Sequence, residues 1–509
     1  GDAISSGLGG VGVLGGAPAP APQGLDAGHA APRLVHRDAL QARPFVPREA
    51  RAQQAAAQAA QAAQAARAAR AVQAAEAAGA EGGGRNYPSS GGGSIERAKR
   101  FNYRMKDARD WRQILRTIEL HVETFNEVNL ATALHRLAKV SPRPPDKRAV
   151  CADPRLGLLE ACALQKIRGF SPQQLSNSAW ALATLGRLAL ALLEAIEAQA
   201  CERMPEFNSQ DLSNTIWAFA RLNHKPRQLM RAVAAEAQRK IRDFNPQGMA
   251  NTLWAFATLA HFGEQHPALM QAVAGEALRK MHLFNPQNLA NTAWAYARVG
   301  HHPGGVVLEA IAHHSALQLR AFKPQEMANL IWAFAKLGHR SEVFQAQLAA
   351  AATEKLPLFN PQNLANTVWA FATLLAGEPP SPAEHRFVSL MLPRAAACLP
   401  EFSQQGLSNT MWALAKLDIS PGEELLARVA EQGAERISSF SPQGLVNLAW
   451  AFSVFGAFPP RLWGAVTMQA ATKVHHLTAQ DIASLTWAAA VFRNAAPPEE
   501  TAALVELLA

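Results

Sequence analysis

Nine of the eleven tryptophans in this 509-residue chain stand in one register. They are Trp180, Trp217, Trp254, Trp294, Trp332, Trp369, Trp412, Trp450 and Trp487, at successive spacings of 37, 37, 40, 38, 37, 43, 38 and 37 residues. A fixed period of this size marks a repeat architecture, and it overrides any domain count taken from length. Around each Trp the chain writes nearly the same phrase, such as FSPQQLSNSAWALATLG at 170–186, FNPQGMANTLWAFATL at 244–259 and FNPQNLANTVWAFATL at 359–374. Worn copies begin at Phe125, where His135 takes the Trp slot, and at Leu477.

Each phrase carries its own helix start. Ser or Asn stands at the cap, and Pro172, Pro246, Pro286, Pro324, Pro361 and Pro442 follow at the first helical position, where a missing N–H is harmless and φ is already helical. Between phrases lie amphipathic segments such as PALMQAVAGEALRKM at 267–281, preceded by turn residues. Every unit is therefore a leading helix, a turn and a trailing helix, and no unit buries its apolar face alone. The expected fold is all-α: an α-solenoid of about ten 38-residue helix-turn-helix repeats over 111–509, with worn caps at both ends. Residues 1–110 read as a low-complexity leader and linker, rich in Ala and Gly and mostly disordered, with an Ala/Gln/Arg stretch at 50–80 that suits a lone solvated helix or an organelle-targeting leader. The chain opens on Gly1 and ends at Ala509 inside a helical pattern, so it reads as a fragment or a processed product.

Counting from the Phe of each phrase as position 0, with 100° per residue, positions 5, 9, 12 and 15 form the core side. Positions 6, 11 and 13 are mostly Ala and let helices approach closely. Positions 3, 7, 10 and 14 fall within about 60° of one another and hold Gln, Asn, Trp and then Thr, Arg or Lys. The Asn row is Asn177, Asn214, Asn251, Asn291, Asn329, Asn366, Asn409 and Asn447, and the position-14 cations are Arg221, Arg298, Lys336 and Lys416. A carboxamide brings two donors and two acceptors, so this stripe is either a hydrogen-bonded ladder between repeats or the lining of an open groove. Side chains that hardly change between repeats can grip only what is itself invariant, such as backbone, phosphate or sugar. Positions 4 and 14 do vary, and Gln174, Asp211, Asn288, Glu326 and Asn363, with the position-14 cations, are candidates for reading a partner's sequence, against the plainer role of solvated first-turn residues at position 4.

A second row stands four residues before the Phe: Lys166, Arg203, Lys240, Lys280, Lys355, Arg436 and Lys473. Cations at a helix C-terminus offset its dipole; one cation per repeat also suits a row of phosphate contacts. Overall the chain carries nine more basic than acidic side chains, but residues 1–110 hold 14 basic and 9 acidic of them, so the repeats are close to neutral. Any basic surface must come from placement.

The period and the phrase FxPQxLANxxWAxAxLG resemble the octotricopeptide repeats, over about residues 120–509. The unit is also similar to the helical repeats of FAST-kinase-like proteins with a RAP domain and to helical subunits of the mitochondrial RNA-editing substrate-binding complex. The resemblance implies a nuclear-encoded protein of the mitochondrion or chloroplast. It would bind single-stranded RNA there, with other proteins of an organellar ribonucleoprotein as further partners, and serve transcript processing, stability, splicing or translation. The sequence departs from these families in lacking a recognisable RAP domain and the PPPEW signature. The alternatives are a peptide- or protein-binding scaffold, which an Asn and Trp ladder also suits, and a structural subunit of a ribonucleoprotein. No catalytic motif stands out, so an enzyme is not expected. The four cysteines show no CxxC pairing and the pairs His301-His302 and His313-His314 lack companion ligands, so no metal, no cofactor and no membrane span are expected.

Overall fold

The structure is a computed structural model, and it describes residues 92–260 and 266–495. The described residues hold 22 α-helices and ten short 3-10 turns, with no β-strand among them. The leading helices run Glu127–Val140, Pro172–Leu185, Ser209–Arg221, Pro246–Leu259, Pro286–Val299, Pro324–Leu337, Pro361–Leu375, Gln404–Lys416, Pro442–Val454 and Ala479–Phe492. Trailing helices follow, from Pro154–Gln165 through Arg227–Arg239 and Pro267–Lys280 to Pro460–Lys473. Each leading helix packs on the leading helices of the neighbouring repeats, and each trailing helix on its trailing neighbours, the leading helices lying closer together. This is the stacked α-solenoid that the period demands.

Local chemistry sets the joints. Each trailing helix tightens into one 3-10 turn, such as Ile241–Asp243, and the chain then extends through the Phe into the cap. The Asn245 side chain accepts the backbone N–H of Gly248, satisfying one of the donors a helix start leaves open. At the other end Gly186, Gly300 and Gly338 adopt φ of 76°, 73° and 64°, the left-handed stop that glycine adopts without strain. All nine phrase phenylalanines, Phe125 to Phe440, are buried, as are Met249, Leu253, Phe256 and Leu259 at the core positions of one repeat. Burying side chains of this size contributes about 1.5–3 kcal/mol each.

One boundary moves. The packed chain already includes residues before 111: helix Gly92–Asp107 lies against the first leading helix, with Phe101, Met105 and Ala108 buried. Asn129 donates to the Ala98 carbonyl at 2.9 Å and to Asn102 Oδ1 at 2.8 Å, and Arg136 donates to the carbonyls of Met105 and Ala108. The expectation of a disordered leader over residues 1–91 lies outside the described residues.

Candidate RNA-binding surface

The two recurring polar rows have different fates. The row four residues before the Phe is a seam between repeats. Lys166 donates to the carbonyl of Phe125, Arg203 to Phe170 at 2.6 Å, Lys240 to Phe207 at 2.6 Å, Lys280 to Phe244 at 2.9 Å, Lys355 to Phe322 and Lys473 to Phe440. That carbonyl belongs to an extended residue just outside the helix, so no helical N–H reaches it. The repeats that lack a cation confirm what the position needs. Gln318 stands there in the sixth repeat and donates to Phe284 at 3.0 Å. Where Cys398 stands there, Arg394 one turn earlier reaches the Phe359 carbonyl instead. A donor is wanted, charged or not.

The phosphate role expected for Lys240 and Lys280 is therefore corrected. Lys240 meets the carbonyls of Pro205 and Phe207 and the Glu236 carboxylate at 2.6 Å, and Lys280 meets those of Arg242 and Phe244 and Glu276 at 2.9 Å. An ammonium has three donors, and here all three are engaged. Arg436 is the one member of the row without a side-chain hydrogen bond among the described residues.

Position 4 is corrected too. It is the third residue of the leading helix, and its side chain turns back onto its own cap: Gln174 accepts from the Ser171 N–H at 2.9 Å, Glu326 from Lys323 at 2.9 Å, and Asp211, Asn288 and Asn363 from the cap residues at 3.4 Å. Asp211, Asn288 and Asn363 are buried. Position 4 also packs against position 6 of the preceding repeat, where Ser176 donates to Asp211 Oδ1 at 2.9 Å. Capping and packing account for its variation. Burial pushes the Asp211 carboxyl up, opposed by the Ser176 hydrogen bond.

The stripe at positions 3, 7, 10 and 14 stays open. Gln173, Gln210, Gln247, Gln287, Gln325, Gln362 and Gln443 are exposed, and all eight asparagines of the row are half-buried. None of those eight side chains hydrogen-bonds to another residue among the described ones, so there is no Asn ladder. The indoles beside them are mostly half-buried, with Trp332 buried and Trp487 46% exposed. Position 14 reaches over the next repeat's indole: Lys336 lies 5.3 Å from the Trp369 ring centre and Lys416 5.8 Å from that of Trp450. At the start of the row His135 packs 5.1 Å from Trp180. Burial pushes the Lys336 ammonium and the Arg298 guanidinium down from their ordinary values. Between two neighbouring leading helices this surface sinks into a cleft of about 130 Å³, lined by Gln210, Asn214, Gln247 and Asn251 among others. Across ten repeats the four stripe positions hold no acidic residue.

Stacked helix pairs with one continuous polar-aromatic face define a helical-repeat α-solenoid. Two families match parts of it: the N-terminal domain of the Tbc2 translation factor over residues 187–376, and the RNA-editing substrate-binding complex 6 protein over residues 307–497. Each covers less than half of the chain, and the two overlap in the central repeats; the first description names translation and the second RNA editing. No curated protein matches the sequence. Among solved structures, a homology model of the full-length AP-3 complex in an intermediate open conformation covers 81% of this chain and 89% of its own, at 10% identity and a TM-score of 0.28, too low to carry an argument. Among the described residues no helix is long and apolar enough to cross a membrane, and no cluster of potential metal ligands occurs.

Proposed function

We propose that this protein binds single-stranded RNA along the open face of its leading helices and acts in an organelle, in transcript processing, stability, splicing or translation. The role is one of binding, not catalysis. The observation that carries the reading is the row of eight half-buried carboxamides without side-chain partners among the described residues, set beside indoles on a stripe whose four positions hold no acidic residue across the ten repeats. Amides can meet phosphate, sugar or base edges, and indoles offer faces on which bases stack. A uniform row suits a uniform backbone, so affinity spreads over many repeats. The matches to families of translation and RNA editing support the same direction.

The test replaces Asn251, Asn291 and Asn329 by Ala together and measures affinity for an unstructured RNA. The expected result is a loss of tenfold or more with an unchanged melting temperature. Equal affinity would remove the stripe from the interface. A wild-type chain that ignores RNA at low salt but binds an extended peptide with a flat salt dependence would establish the scaffold reading instead.

A further inference from the structure

The helix Gly92–Asp107 has no Trp, no capping phrase and no Pro-Gln start, yet it occupies a leading-helix place in the stack. Its register can be fixed. Between the second and third repeats, position 6 (Ser176) bonds to position 4 of the next repeat (Asp211). At the first joint Asn129, at position 4, bonds to Asn102 at 2.8 Å, which puts Asn102 at position 6. The core gives an independent check. That register places Phe101, Met105 and Ala108 at positions 5, 9 and 12, and all three are buried.

With the register fixed, positions 3, 7 and 10 fall on Lys99, Tyr103 and Lys106. All three are exposed, Tyr103 at 76%. The stripe that reads Gln, Asn, Trp in the repeats thus ends as Lys, Tyr, Lys. Around it stand Arg97, Arg100, Arg104 and Arg109, also exposed. The acidic residues of this stretch are Glu96, 4.0 Å from Lys99, Asp107 and Asp110. An exposed pair at that distance screens little of the charge. On a solenoid whose repeats are nearly neutral, six exposed basic side chains and an exposed aromatic ring meet on and just after the first described helix of the open stripe.

We propose that this helix extends the binding face beyond the Trp-bearing repeats and anchors single-stranded RNA there, Lys99 and Lys106 contacting phosphates and Tyr103 stacking a base. The proposal rests on the RNA reading above and adds where the electrostatic grip lies. Sequence-tolerant stacking and phosphate contacts are the expected chemistry of such a surface.

The experiment uses the full chain and oligouridine of about 40 nucleotides, long enough at an extended spacing to span several repeats, titrated over a series of KCl concentrations. Lys99→Gln with Lys106→Gln should flatten the log–log salt slope by about 1.4, two contacts at the single-strand value. Tyr103→Leu should weaken binding roughly fivefold or more, and Tyr103→Phe should retain it, because the ring does the stacking. These side chains are exposed, so melting temperatures should not change. RNA binding by wild type with both slope and affinity unchanged in the variants would overturn the anchor and leave the RNA reading standing. A wild type that does not bind RNA at all would remove both. Vesicles containing anionic phospholipid provide the third arm. If the variants lose vesicle binding while their RNA affinity is unchanged, the helix is a membrane-surface element and the proposal fails.

Discussion

The seam cations recur in seven repeats and the stripe asparagines in eight, yet the first row, Arg436 apart, is bonded internally and the second is left open among the described residues. Lys280 reaches backward to the Phe244 carbonyl, while the Asn291 side chain on the following helix has no hydrogen-bond partner among the described residues. The difference teaches that periodicity in sequence marks a constraint without saying whether the constraint is the neighbouring repeat or a ligand. What separates the two is the presence of an orphan acceptor within reach. An extended residue ahead of a helix leaves its carbonyl without a partner, and a long side chain from the next repeat is the nearest donor.

The largest effect should come from breaking the seam while leaving the stripe alone. Lys240→Met, Lys280→Met and Lys355→Met each leave the Phe carbonyl of the preceding phrase without its donor, and the first two also take one of two cations from a carboxylate that keeps Arg239 or Arg279; each should cost about 1–3 kcal/mol. The melting temperature of the triple variant reads the result, and RNA affinity per folded molecule should stay the same. Lys355→Gln should cost far less, because Gln318 already performs this role in its repeat. A large loss with Gln would show that charge, not donation, holds the joint.

A smaller effect isolates the ionic part of the seam. The Arg239 hydrogen bond and the Lys240 ammonium hold the Glu236 carboxyl at about 2, well below its ordinary value. Its folded-state value is depressed, so its contribution is fully present above about pH 4.5 and is lost as pH falls toward 2. Glu236→Gln should flatten that part of the acid-unfolding curve and leave neutral-pH RNA binding alone. Acid melts of wild type and variant compare directly.

Smaller still are two changes on buried sides of the leading helices. The hydroxyls of Thr215, Thr252, Thr292 and Thr367 are buried without partners among the described residues. Thr252→Val keeps the shape and removes a stranded polar group, so it should be neutral or stabilising by about 1 kcal/mol. Asp211→Asn places at that cap the residue that Asn288 and Asn363 already supply. Burial raises the Asp211 carboxyl in the folded state, so its charged form weakens the fold as pH rises through that value. The Asn variant should lose this decline and gain slightly at neutral pH in a chemical melt.

The array itself was legible because the tryptophans and cap prolines stand in register, and because core spacing follows from 3.6 residues per turn. Position 4 was misread although the sequence carried its signal: Ser171 followed by Gln174, and Asn208 followed by Asp211, are cap pairs three residues apart. The seam row was visible but its partner was not, since a main-chain carbonyl has no side-chain signature. Helix Gly92–Asp107 is hard to see in the sequence because it carries neither the Trp nor the capping phrase. The spacing of Phe101, Met105 and Ala108, four and then three residues, matches the core positions and would have found it.

The seam has one more consequence, for how such an array can change over generations. Its acceptor is a main-chain atom that every amino acid possesses, so a joint does not depend on the identity of the residue it grips. Two copies that never sat together before can still dock, provided the donor and the extended Phe are present. Gene-level duplication, loss or exchange of single units therefore meets little resistance at this bond, and the length of the tract a descendant protein covers can drift one unit at a time. The faces exposed to ligand are then free to diverge on a frame whose joints accept any neighbour.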